Sequence, residues 1–104
     1  MTSLKMKKEF KVIADLLPNS TRVLDVGCGD GSLMNFLDKE KNIEVRGLEI
    51  NQDKVQQCIQ KGLPVIQGNA ETELHQFPDQ SFDYVVLSQT LQAFYDPEKV
   101  LNEL

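Results

Sequence analysis

Asp25-Val26-Gly27-Cys28-Gly29-Asp30-Gly31, reached directly from the apolar pair Val23-Leu24, is the stretch on which the fold of this chain turns. A strand that runs into glycines and then into a helix brings backbone N–H groups close to a ligand, and the start of the helix adds partial positive charge. Each glycine also weakens a plain turn, so three alternating ones point to a use of their conformational freedom. In the dinucleotide fingerprint G-x-G-x-x-G the third glycine packs helix on strand, and the pyrophosphate sits at the helix start. Here the third glycine, Gly31, comes one place early, and Ser32 stands where the fingerprint needs glycine. Asp25 and Asp30 would also lie beside a pyrophosphate, where like charges about 4 Å apart cost on the order of 1–4 kcal/mol depending on the local dielectric. The loop favours a ligand with a cationic amine and no phosphate.

Upstream, Met6, Phe10, Ile13, Ala14 and Leu17 recur at helical spacing and predict an amphipathic helix closed by Pro18-Asn19. Arg22-Val23-Leu24-Asp25-Val26 then reads as a short buried strand, and Leu33, Phe36 and Leu37 as the core face of the helix after the glycines. Residues 43–50 form the next strand, with Asn51 as N-cap of a helix whose inner face is Val55, Cys58 and Ile59 and which Gly62 closes. Pro64-Val65-Ile66-Gln67 makes a third strand, and residues 71–80 are polar. Residues 82–88, rich in aromatic and β-branched side chains, carry the strongest strand signal. Asp96 caps a last helix with Pro97 at its first position. Strands separated by helices of this length require crossover connections, hence a parallel sheet in a three-layer α/β fold.

The 104 residues are 40% hydrophobic and 26% charged, the composition of one soluble globular domain. No apolar run nears the roughly 20 residues that cross a membrane, and the start Met1-Thr2-Ser3-Leu4-Lys5 has no secretory apolar core, so a cytoplasmic address is expected. Cys28 and Cys58 have no second cysteine or histidine at ligand spacing, which leaves no basis for a metal site or a CxxC redox pair and predicts two reduced thiols. The net charge of -5 divides into +3 over the first eleven residues and -8 over the rest. An acidic body argues against nucleic acid as a partner, and the basic start reads as a solvated helix face.

In a doubly wound sheet, ligands sit beyond the carboxyl ends of the strands. Glu49 ends the second strand, where a carboxylate accepts from both ribose hydroxyls of NAD or of S-adenosylmethionine alike. The two loop acids favour the latter, which carries an ammonium, a sulfonium and a carboxylate but no phosphate. The D-x-G-x-G-x-G pattern at residues 25–31 resembles motif I of class I S-adenosylmethionine-dependent methyltransferases. Gln67-Gly68-Asn69-Ala70-Glu71 resembles the segment that reads adenine in that family, which often has aspartate where Asn69 stands; the amide keeps an acceptor oxygen. Phe77-Pro78-Asp79-Gln80-Ser81-Phe82-Asp83-Tyr84-Val85-Val86-Leu87-Ser88-Gln89-Thr90-Leu91-Gln92, together with residues 24–31 and 65–68, is similar to the MetW family of methionine biosynthesis.

The resemblance implies a Rossmann-like sheet of seven strands in the order 3-2-1-4-5-7-6. It places cofactor contacts at Asp25, Gly27, Cys28, Gly29, Gly31, Glu49, Ile50, Asn69, Ala70 and Ser88, with Gln89 and Gln92 facing a methyl acceptor as hydrogen-bonding groups. It further implies a tie to a homoserine O-acyltransferase, either as a methyltransferase with an unidentified acceptor or as a non-catalytic partner that retains the cofactor fold. No catalytic side chain follows, because displacement at a sulfonium expels a neutral leaving group and asks chiefly for alignment; His75, in a polar loop, is not assigned as a base. With about four strands in the sequence and no stop signal after Val100, Leu101 and Leu104, the chain is expected to be C-terminally incomplete. Strand four would then be an exposed apolar edge through which copies self-associate.

Overall fold

The protein is described from a computed structural model, which covers residues 4–70, 72–73, 82–88 and 92–94. In chain order the elements are α1 (Leu4–Leu16), β1 (Arg22–Val26), α2 (Ser32–Glu40), β2 (Glu44–Glu49), α3 (Gln52–Gln60), β3 (Val65–Gln67), β4 (Tyr84–Leu87) and β5 (Gln92–Phe94). They build one sheet in the order β3-β2-β1-β4-β5. The first four strands are parallel, as the crossover argument requires, and the Rossmann-like order 3-2-1-4 holds among them.

β1 lies at the centre, with Leu24 paired to Arg46 on one side and Val85 on the other. A central parallel strand is covered on both faces, which is why Val23 to Val26 are all buried and read as a continuous run and not as an alternation. Val23 and Val86 join a cluster with Phe10, Ile13, Ala14 and Leu17 of the first segment and Leu33, Met34 and Leu37 of α2. Phe10 and Phe36 add a tilted ring contact at 5.8 Å. On the other face Leu24, Val26, Leu48 and Val85 form a second buried cluster.

The alternation of side chains along β1 puts Asp25 on the same side as Val23. It is one of two buried charged side chains among the described residues; the other is Glu49.

The junctions follow local chemistry. α1 stops at Leu16, where the Leu17 N–H donates to the Ala14 carbonyl at 3.1 Å, and the Lys41 ammonium donates to the carbonyls of both Ala14 and Leu17. Asn51 caps α3 as expected, its side-chain oxygen accepting from the Lys54 N–H at 3.1 Å.

Three expectations change. Ile59 is 53% exposed, so the inner face of α3 is Val55 and Cys58 alone. Met34, not read from sequence, is buried on α2, whereas Phe36 is only partly so. The edge assigned to strand four is covered: β5 pairs antiparallel with it, Val85 to Phe94, Val86 to Ala93 and Leu87 to Gln92. A connection of only a few residues cannot return a parallel strand but readily closes an antiparallel one, and a three-residue strand is too short to show an alternation. Self-association through that edge loses its basis. The side chain of Met6, the segment 74–81 with His75, and the helix assigned from Asp96 lie outside the described residues.

Candidate functional site

Gly27, Gly29 and Gly31 stand at φ 69°, 59° and 85°. All three are in the left-handed region, which explains the alternation: the loop descends from β1 into α2 through conformations that side-chain-bearing residues adopt at a cost. The loop's amides, however, are not bare. Gly27 and Cys28 donate to the Leu48 carbonyl at 2.8 and 3.2 Å, and Gly31 donates to the Cys28 carbonyl at 3.0 Å. Gly29 donates to Glu49 Oε1 at 2.8 Å. Ser32, at the first position of α2, gives both its N–H (3.0 Å) and its hydroxyl (2.6 Å) to Asp30 Oδ1. These hydrogen bonds, with the Lys61 cation beside them, hold the Asp30 carboxyl below the usual range.

That corrects the expectation of bare backbone N–H groups in the loop. Carboxylates of the protein itself take the N–H groups of Gly29 and Ser32, and backbone carbonyls take those of Gly27, Cys28 and Gly31, so the loop offers close approach and negative charge. Gly29 has open space where a side chain would project.

Glu49 is buried at the end of β2 and held through both oxygens, the second accepting from the Asn51 N–H at 2.9 Å. A carboxylate has about four acceptor sites, so hydrogen-bonding capacity remains. Asp25, fully buried at the end of the adjacent strand, accepts from the Ser88 hydroxyl through Oδ1, while Oδ2 has no hydrogen-bond partner among the described residues. Burial pushes its pKa up to about 7, against the pull of the Ser88 bond and with help from the Glu49 charge. A buried, half-satisfied acid is costly. It is the kind of group that a functional site retains.

Val26, Gly27, Leu48, Glu49, Ile50, Gly68, Asn69 and Ala70 line a cavity of about 190 Å³ at the carboxyl ends of β1, β2 and β3. Of the residues assigned from sequence, Gly27, Glu49, Ile50, Asn69 and Ala70 line it, and Asp25 and Ser88 meet each other where β1 and β4 end. Ile50 is 65% exposed, an apolar surface left open beside the cavity. Gly31 is buried: a Cβ there would stand 2.5 Å from Leu63 Cδ1 and 3.1 Å from Cys58 Sγ, so its bare Cα serves packing. Cys28 is also buried, its sulfur 3.9 Å from that of Cys58, and burial together with Asp25 pushes its thiol pKa up.

Gln92 belongs to β5, opposite Leu87, and Gln89 lies outside the described residues. Val26, Leu48 and Gly68 were missed as lining residues, although the strand-end rule that selected Glu49 applies to the first two equally. A larger cavity of about 420 Å³, lined by Lys8, Lys11, Phe36 and Lys41 among others, draws on α1 and α2 and contains neither buried acid.

Residues 7–104 match the family described as methionine biosynthesis protein MetW. The chain belongs to the MetW family. It is 32% identical over 100 residues to the bifunctional methionine biosynthesis protein MetXA/MetW of Rhodopirellula baltica, a match that covers 88% of this chain and 16% of that protein. It is 27% identical over 92 residues to the mitochondrial arginine-hydroxylase NDUFAF5 of Rattus norvegicus, covering 88% of this chain and 27% of the relative. A SAM dependent methyltransferase from Archaeoglobus fulgidus superposes with a TM-score of 0.69 at 33% identity, covering 79% of this chain and 36% of that structure. This MetW-family chain is therefore class I methyltransferase-like in sequence and fold, and it spans between 16% and 36% of the length of these three proteins.

Proposed function

We propose that the carboxyl end of this sheet is an S-adenosylmethionine site and that the protein is a MetW-like methyltransferase serving methionine biosynthesis. The observation that carries this reading is the Oδ2 of buried Asp25, which has no hydrogen-bond partner among the described residues, one strand away from buried Glu49. An orphaned acid seeks a cation, and an aminoacyl sulfonium ligand brings an ammonium. In this reading Asp25 holds that ammonium, Glu49 accepts the ribose hydroxyls, and Ile50, Asn69 and Ala70 form the adenine side of the cavity. Gly27 and Gly29 let the ligand approach the backbone, while Cys28 and Gly31 act from behind by shaping the loop, and Ser88 orients Asp25. The bound cofactor supplies a methyl group on a sulfonium. What the chain supplies is orientation of that donor and exclusion of water from it. Gln89 and Gln92 remain the proposed contacts to the acceptor.

Calorimetric titration with S-adenosylmethionine, S-adenosylhomocysteine and NAD tests the site. Binding of both sulfur ligands without NAD is expected; NAD binding without a response to either sulfur ligand would overturn the reading.

A second reading has its own support. The relative that joins MetXA and MetW in one chain favours a partnership with a homoserine O-acyltransferase, in which this fold acts as an activator without transferring a methyl group. The arginine-hydroxylase relative, named for a reaction other than methyl transfer, adds that likeness over this length does not choose a reaction. Mixing the full-length protein with the acyltransferase and assaying both acyl and methyl transfer separates the two. Stimulated acyl transfer with no methyl transfer would select the activator.

A further inference from the structure

α3 ends in a tight reversal. Leu63 donates its N–H to the Cys58 carbonyl at 3.0 Å and Gly62 donates to Ile59 at 2.9 Å, with Gly62 at φ 76°. This is the double hydrogen bond of a Schellman cap, which needs a left-handed residue at its corner. The reversal directs three side chains at three consecutive residues of the glycine loop. The Cys58 thiol donates to the Gly29 carbonyl at 3.2 Å. The Lys61 ammonium donates to the Asp30 carbonyl at 2.8 Å and stands 3.9 Å from the Asp30 carboxylate. Leu63 and Cys58 close on the bare Cα of Gly31. From the opposite side Glu49 holds the Gly29 N–H, so residue 29 is gripped at both its N–H and its C=O.

Glycines have no strong preference of their own between positive and negative φ. Something outside the loop has to choose; apart from the loop's own Cys28 thiol, 3.9 Å from the Gly29 carbonyl, the described side chains that donate to the Gly29 and Asp30 carbonyls come from the end of α3 and its turn. We infer that the C-terminal turn of α3 sets the shape of the glycine loop, and that Cys58 and Lys61 are positioning residues for the ligand bound there. The inference rests on the S-adenosylmethionine reading of the site, but it assigns a part to a helix end and a turn that motif I does not include.

The test uses the full-length protein and two readouts: the affinity for S-adenosylhomocysteine by calorimetry, and amide hydrogen exchange at Gly29 and Gly31 without ligand. Lys61→Met is the main variant, because an exposed pair contributes little to global stability, and Lys61→Arg is its conservative counterpart. Cys58→Ala is the second probe. Loss of one such hydrogen bond is expected to weaken the ligand roughly three- to tenfold and to speed exchange at the two glycines, with β1 amides unchanged and Lys61→Arg restoring both. Wild-type affinity and exchange in Lys61→Met, or no recovery in Lys61→Arg, would overturn the inference. A wild-type protein that ignores the sulfur ligand would instead sink the cofactor reading, and the exchange rates would still decide whether the turn holds the loop.

Discussion

Asp25 concentrates the electrostatics of the site in one side chain. Its pKa of about 7 means that near neutrality the free protein holds it part-protonated. A cationic ligand beside Oδ2 favours the ionised form, so binding expels a proton wherever Asp25 starts protonated. Affinity for S-adenosylhomocysteine should therefore weaken by about tenfold for each pH unit below 7 and level off above it. Asp25→Asn should bind more weakly at pH 8 and lose most of this dependence. Calorimetry between pH 5 and 8 checks both, and a flat profile in the unmodified protein would remove Asp25 as the counter-ion. That an acid ends the first strand was legible in the sequence. Its orphaned oxygen was not, because burial and the Ser88 contact depend on a residue 63 positions away.

Among the elements, α1 depends on a contact that no periodicity reveals. Phe10, Ile13, Ala14 and Leu17 bury its apolar face, as the spacing predicts. At its C-terminal end Lys41, the residue after α2, donates to the carbonyls of Ala14 and Leu17. Lys41→Met keeps the length of the side chain and removes the donors, and should cost about 1–3 kcal/mol, the usual range for a charge-assisted hydrogen bond left unmade. For a domain of this size that amounts to roughly 4 °C or more in the melting temperature. An unchanged melting temperature would show the Lys41 contact to be incidental. β5 teaches the same lesson in the sheet: β1 announced itself by the apolar pair Val23-Leu24 running into the glycine loop, whereas the three-residue β5 is held by its pairing with β4.

For the whole molecule, the pKa shifts oppose one another with pH. Asp25 binds its proton more tightly folded than unfolded, so its contribution to stability falls as pH rises from about 4 to 7, by up to about 4 kcal/mol. Asp30 and Asp83 are shifted down, by Ser32 and Arg22 respectively, so what they contribute is present above the ordinary carboxylate range and is lost on further acidification. The ligand-free protein should consequently melt higher near pH 5 than at pH 8, and Asp25→Asn should flatten that difference. Thermal melts across this range decide it, and a protein that is more stable at pH 8 would refute the assignment.

The amino-acid sequence by itself determined the parallel α/β architecture and the glycine loop, and it supplied the reasons to propose a ligand without phosphate at the carboxyl ends of the strands. Each of these rests on local spacing, local conformational preference or charge within a few residues. The tertiary structure alone decided that the loop's amides are already occupied, that Asp25 carries an oxygen with no partner among the described residues, that β4 is covered by β5, and that the end of α3 grips the loop. Those features arise where segments distant along the chain meet, and the free energy of such a meeting is not written in either segment alone.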